Sequence, residues 1–124
     1  MPNANGLYLV ALAITLVVEV PIVLAIYRRV APLWRVAGVA LAVNLLTHGL
    51  LWTLFRHLPG AYGVRVAYTE VVVVAIEAVA YRVFVGGTWA RAVIASLVAN
   101  AASTAASLAV WRWMFAHGGF GLLR

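Results

Sequence analysis

The sequence predicts an all-α membrane protein, a polytopic chain of four antiparallel transmembrane helices in one compact bundle. Three observations carry that reading. Of the 124 residues, 66% are hydrophobic and 10% are charged, whereas a soluble domain holds about 45–50% apolar and 25% charged residues. The apolar residues gather into four runs, each near the ~20 residues that cross about 30 Å of hydrocarbon. The three acidic residues, Glu19, Glu70 and Glu77, all fall inside those runs. The mean hydropathy of +1.04 agrees. At this length a single domain spanning 1–124 is expected.

The first helix is expected over about 7–27, ended by Arg28, Arg29 and Ala31-Pro32. No Arg or Lys precedes it, and its apolar run exceeds a signal peptide's h-region, so it reads as a retained helix. The second is expected over about 34–55, stopping before Arg56, His57 and Leu58-Pro59-Gly60. The third spans about 62–85 and is closed by Gly86-Gly87. Its β-branched run from Val71 to Val74 favours a strand in water. In lipid a lone strand leaves its backbone unpaired, and helix wins. The fourth spans about 89–115 and ends at His117-Gly118-Gly119. Ala92, Ser96, Ala99, Ser103 and Ser107 recur along it at helical spacing. Such a face lets helices approach closely, either inside the bundle or against a second copy in a homodimer.

The net charge of +6 comes from nine arginines at the ends of the apolar runs, where they meet lipid headgroups. They form no basic patch with interleaved exposed aromatics, and nucleic acid is set aside as a partner in favour of the lipid bilayer. The group Arg28, Arg29 and Arg35 outweighs the other side's Arg56, Arg65, Arg112 and Arg124 by position. Both termini are therefore expected outside, in a bacterial-type cytoplasmic membrane, with dual topology as the alternative. Trp34, Trp52, Trp89, Trp111 and Trp113, with Tyr8, Tyr27, Tyr62 and Tyr81, lie toward helix ends and read as an interfacial anchoring belt. The absence of cysteine excludes disulfides, thiolate metal sites and Fe–S clusters. No serine-hydrolase elbow, zinc-protease helix, Walker loop or dinucleotide fingerprint is present.

An ionisable group at the centre of a membrane helix costs roughly 2.5–3.5 kcal/mol on insertion scales. Three internal glutamates are therefore the strongest functional signal in the sequence. Asn44 and His48 share a face of the second helix, and Glu70 and Glu77 share one on the third. A rise of ~1.5 Å per residue puts Asn44 at mid-depth, with Glu19, Glu77 and Asn100 about 3–5 Å toward the first and third connections. His48 and Glu70 fall about 5 Å to the opposite side. Residues on different helices that agree in depth are expected to converge on the bundle axis.

Glu19 and Glu77 at one depth can share a proton. Alternatively, a divalent metal or other cation is the cofactor, with Asn44 and Asn100 as neutral oxygen ligands. His48 with Glu70 reads as a proton relay or a His–carboxylate metal site, which makes Glu19, His48, Glu70 and Glu77 the candidate metal ligands. One buried Asn or Ser is ordinarily interhelical glue, and for Asn100 both readings stay open. Pro21, two residues after Glu19, either frees the Val17 carbonyl for a cation or makes a tolerated kink.

The first expected function is a cation- or proton-coupled transporter or channel. Glu19 and Glu77 bind the ion or proton, and His48 with Glu70 forms the access step. An intramembrane enzyme acting on a lipid-like substrate through Glu and His is the second, and an accessory subunit of a larger membrane complex the third. Whether the chain is an enzyme stays open at this point.

Overall fold

A computed structural model describes residues 4–118. Gly119 and Arg124 lie outside the described residues. The described chain is all-helical, with four long helices: α1 (Ala4–Tyr27), α2 (Leu33–Leu54), α3 (Tyr62–Ala80) and α4 (Trp89–Ala116). A single 3₁₀ turn, Phe55–His57, extends α2, and a π-helical turn, Tyr81–Val85, extends α3. Three of the helices, α1, α2 with its 3₁₀ extension, and α4, are long and apolar enough to cross a membrane. Helix α3 carries Glu70 and Glu77.

Local chemistry sets the boundaries. Pro32 starts α2, its fixed φ of −56° suiting the position, and its carbonyl accepts from the Arg35 and Val36 amides at 3.0 and 3.2 Å. Thr88 caps α4, its Oγ1 accepting from the Arg91 amide at 3.2 Å. Gly86 and Gly87 adopt φ of 100° and 82°, a region that L side chains avoid, and this lets the chain reverse within three residues. The Gly86 amide donates to the Tyr81 carbonyl at 3.0 Å, the bond that closes the π turn. Helix α1 runs unbroken through Pro21.

Around the bundle, α1 packs on α2 and α4, and α3 packs on α2 and α4, so α1 faces α3 across the axis. The connection over 28–32 reaches at most about 17 Å, while the 22-residue α2 is about 33 Å long, so packed neighbours must run antiparallel. Side-chain contacts agree. Tyr8 near the start of α1 meets Trp52 near the end of α2, and Arg35 Nε donates to the Phe84 carbonyl at 2.7 Å.

The side chains are distributed inside out relative to a water-soluble bundle. Val17, Leu46, Val71 and Phe115 are more than 60% exposed, whereas Glu19, Asn44, Glu77 and Ser96 are at most 1% exposed. The small-residue face of α4 is spent within the chain. Ala92, Ala95, Ser96 and Ala99 are fully buried, and α1 against α4 is the most extensive helix contact.

The half of the bundle nearest the first and third connections has a continuous apolar core. It includes Val23, Val36, Ala40, Val43, Ala78, Val85, Ala92, Ala95 and Ala99, together with Tyr27 and Tyr81. Close approach at Ala99 leaves no room for a larger side chain. Ala99→Leu is expected to destabilise the fold by about 1–3 kcal/mol through overpacking. Leu97→Ala, at a residue 55% exposed, should be nearly neutral in detergent. Thermal unfolding of the two purified variants in one detergent checks this, and equal losses would contradict the packing described.

Candidate functional site

Helix α4 presents a ladder of donors to every glutamate in the chain. On its inner face lie Ser96, Asn100, Ser103 and Thr104, at spacings of four, three and one. Ser96 Oγ donates to Glu77 Oε2 at 2.8 Å, and Asn100 Nδ2 donates to the same oxygen at 2.6 Å. Ser103 Oγ donates to Glu19 Oε1. One turn nearer the α2–α3 connection, Thr104 Oγ1 donates to Glu70 Oε1 at 3.2 Å. The small side chains between these donors bring α1 and α3 close enough for short polar side chains to reach.

Glu19 and Glu77 are the two fully buried carboxyls, and both line the same cavity. Asn44 adjoins Glu19, and its amide donates to the Ala40 carbonyl at 2.9 Å. Ser103 holds Glu19 through Oε1, and Ser96 and Asn100 hold Glu77 through Oε2. Glu19 Oε2 and Glu77 Oε1 are buried and have no hydrogen-bond partner among the described residues. A neutral carboxyl has this asymmetry, with one oxygen accepting and the other carrying a proton that it can pass on. A buried unpaired carboxylate oxygen would instead be costly.

The pair lies at the floor of a cavity of about 280 Å³ lined by all four helices. Its polar wall includes Thr15, Glu19, Asn44, Thr47, His48, Glu70, Glu77, Asn100, Ser103, Thr104 and Ser107. Toward the α2–α3 connection the wall becomes aromatic, with Trp52, Phe55, Tyr62 and Trp111. There it meets an apolar vestibule of about 660 Å³ bordered by Leu7, Arg56 and Phe115. The space narrows from an apolar mouth to an acidic floor at mid-bundle. Beyond the floor lies the closed apolar core.

All six residues singled out in the sequence, Glu19, Asn44, His48, Glu70, Glu77 and Asn100, line this one cavity. Asn100 bonds to Glu77, and Glu70 lies two turns nearer the mouth on α3. Some pairings differ. His48 and Glu70 are not hydrogen-bonded to each other. Glu70 takes Thr104, while the His48 ring packs in a cluster with Tyr8, at 5.1 Å between centroids, and Trp52, at 6.2 Å and nearly parallel. Equal depth on α2 and α3 does not fix the direction of a side chain, and aromatic packing claims the imidazole. Thr47 bonds back to the Val43 carbonyl at 2.8 Å and Thr69 to that of Arg65 at 3.0 Å, so both satisfy themselves within their own helices.

Two aromatics read as membrane anchors, Tyr27 and Tyr81, are instead fully buried, while Trp52 and Trp111 are half-buried at the cavity wall. Trp34, Trp89 and Trp113 remain exposed near helix ends, as an anchoring belt requires. Ser96 and Thr104 were not among the candidate site residues. Their signal in the sequence was the i, i+4, i+8 register that Ser96, Asn100 and Thr104 share on one face.

The donor set does not suit a resident divalent metal. Among the described residues no three His or Glu side chains converge as a ligand group. The candidate ligands Glu19, His48, Glu70 and Glu77 face the cavity from three helices, α1, α2 and α3.

Two consequences can be measured. Ser103→Ala leaves Glu19 Oε1 without its donor, and the fold should lose about 1–3 kcal/mol. In a double-mutant cycle with Glu19→Gln the two losses should be clearly non-additive, and additive losses would contradict the pairing. The chain has no cysteine of its own, so introduced thiols report cleanly. Ser107→Cys, on the cavity wall, should react with a water-soluble maleimide, and Ala95→Cys, in the closed core, should not.

Comparison of the chain with protein-family models, with curated proteins and with solved structures returns no match.

Proposed function

We propose that the chain is a four-span integral membrane protein that conducts protons, with Glu19 and Glu77 as the proton-binding pair. The observation that carries this is the one-sided polar cavity that all four helices line and that ends at two buried carboxyls. Both carboxyls face a polar cavity that reaches them between the four helices. Intramembrane carboxyls that face a cavity are the usual groups of proton relays.

The inside-out surface supports the membrane setting, and α3 completes the bundle by turning its glutamates away from lipid. Glu70, held more loosely by Thr104, lies about 10 Å nearer the mouth than Glu77 along α3, two turns away on the same face. It serves as the intermediate station between the carboxyl pair and the open end. Asn100 and Ser96 hold Glu77 in place, and Ser103 holds Glu19.

The test is proton uptake by vesicles carrying the purified protein, driven by a potassium diffusion potential and read by an internal pH dye. Wild type should exceed protein-free vesicles, and Glu77→Gln, which keeps the size and hydrogen bonding of the side chain, should fall to that background. Glu70→Gln should slow uptake without abolishing it. A wild type indistinguishable from empty vesicles, or an unaltered Glu77→Gln, would overturn the proposal.

A further inference from the structure

The cavity explains access to the carboxyl pair from one end only. Between the pair and the first and third connections the bundle is filled by apolar side chains, with two exceptions on the axis, the phenols of Tyr27 and Tyr81. Both residues are 0% exposed. Their hydroxyls have no hydrogen-bond partner among the described residues, which is rare for buried tyrosines. Their rings meet at 5.9 Å, and they do so across the axis, because α1 and α3 face each other diagonally.

Their positions continue the line of the carboxyls. Tyr81 follows Glu77 by one turn on the same face of the helix, and Tyr27 follows Glu19 by about two turns. Along their helices Tyr81 lies about 6 Å outward of Glu77 and Tyr27 about 12 Å outward of Glu19, so the order from mid-bundle outward is carboxyl pair, Tyr81, Tyr27. Tyr81 also opens the π turn whose end Arg35 holds through the Phe84 carbonyl. Single π turns concentrate at functional sites.

We infer that Tyr81 and Tyr27 form the second half of the proton path, joining the Glu19–Glu77 pair to the face of the first and third connections. This rests on the proton-transport reading above. In each transfer a phenol oxygen gains a proton from the carboxyl side as its own O–H bond breaks toward the outer side. The phenol is neutral before and after, one proton has moved, and rotation of the hydroxyl resets it. Nothing is oxidised or reduced. The ring contact closes this half to larger solutes, so the two tyrosines pass protons where the cavity admits water-sized species.

The experiment is the vesicle assay with Tyr81→Phe and Tyr27→Phe, which keep the rings and remove only the hydroxyls. Tyr68→Phe, at a residue exposed on α3, is the control. Each buried variant should lose proton uptake by roughly tenfold or more. The double variant should be no worse than the slower single one, because the groups act in series, and Tyr68→Phe should match wild type. Maleimide labelling of Ser107→Cys in the Tyr81→Phe background should stay at its wild-type rate. If wild type conducts and both buried variants conduct equally well, the relay is overturned while the carboxyl reading stands. Loss of uptake together with altered Ser107→Cys labelling would assign the tyrosines a packing role and overturn the relay. A wild type that does not conduct removes both readings.

Discussion

The structure depends on one interaction set, the donation of α4's polar ladder to the three glutamates of α1 and α3. Carboxyls cannot be buried among apolar helices without hydrogen-bond partners, because desolvation outweighs what packing returns. Ser96, Asn100, Ser103 and Thr104 supply those partners. Their short side chains demand close approach, and the alanines between them allow it. The same face therefore fixes the helix order, with α4 wedged between α1 and α3, and the depth of the carboxyls. Remove the ladder and the bundle has neither a reason to hold its acids inside nor a seam to close on.

From that seam follows an asymmetry along the axis. On one side of the carboxyls the walls bear Thr, Ser, His and Glu and stand apart. On the other side Val, Ala and two Tyr fill the space. A bundle designed only for stability would pack both halves alike, since a cavity forfeits dispersion contacts along its lining. The open half costs stability, and it places the carboxyls at the boundary between an accessible and a closed region. A membrane protein that moves protons across this boundary needs a polar path through the closed half, and the two phenols are the polar groups found on its axis.

Much of this was legible in the sequence, for identifiable reasons. Helix positions followed from run length and from Pro32, Pro59-Gly60 and Gly86-Gly87, which end helices by backbone geometry alone. The approach of Asn100 to Glu77 followed from the axial rise, because short connections tie the helices to a common frame. What depth cannot give is direction around each helix. Tyr27 and Tyr81 lie near helix ends, where a lipid-facing and an axis-facing aromatic look the same in one dimension, and these two turn inward. His48 and Glu70 share a depth yet choose Trp52 and Thr104 as partners. The small-residue face of α4 announced close packing but not which helices it would receive. The π turn at Tyr81 has no mark in the sequence that we can name.

The most direct test of the central claim, that the Glu19–Glu77 pair holds an exchangeable proton at the cavity floor, is infrared difference spectroscopy of the purified protein between high and low pH. The carbonyl stretch of a protonated carboxyl should appear on acidification and be lost or split in Glu77→Gln and in Glu19→Gln, with Asn100→Ala shifting its frequency. Spectra without a pH-dependent carboxyl band in wild type, or with a band that survives unchanged in both glutamine variants, would contradict the account.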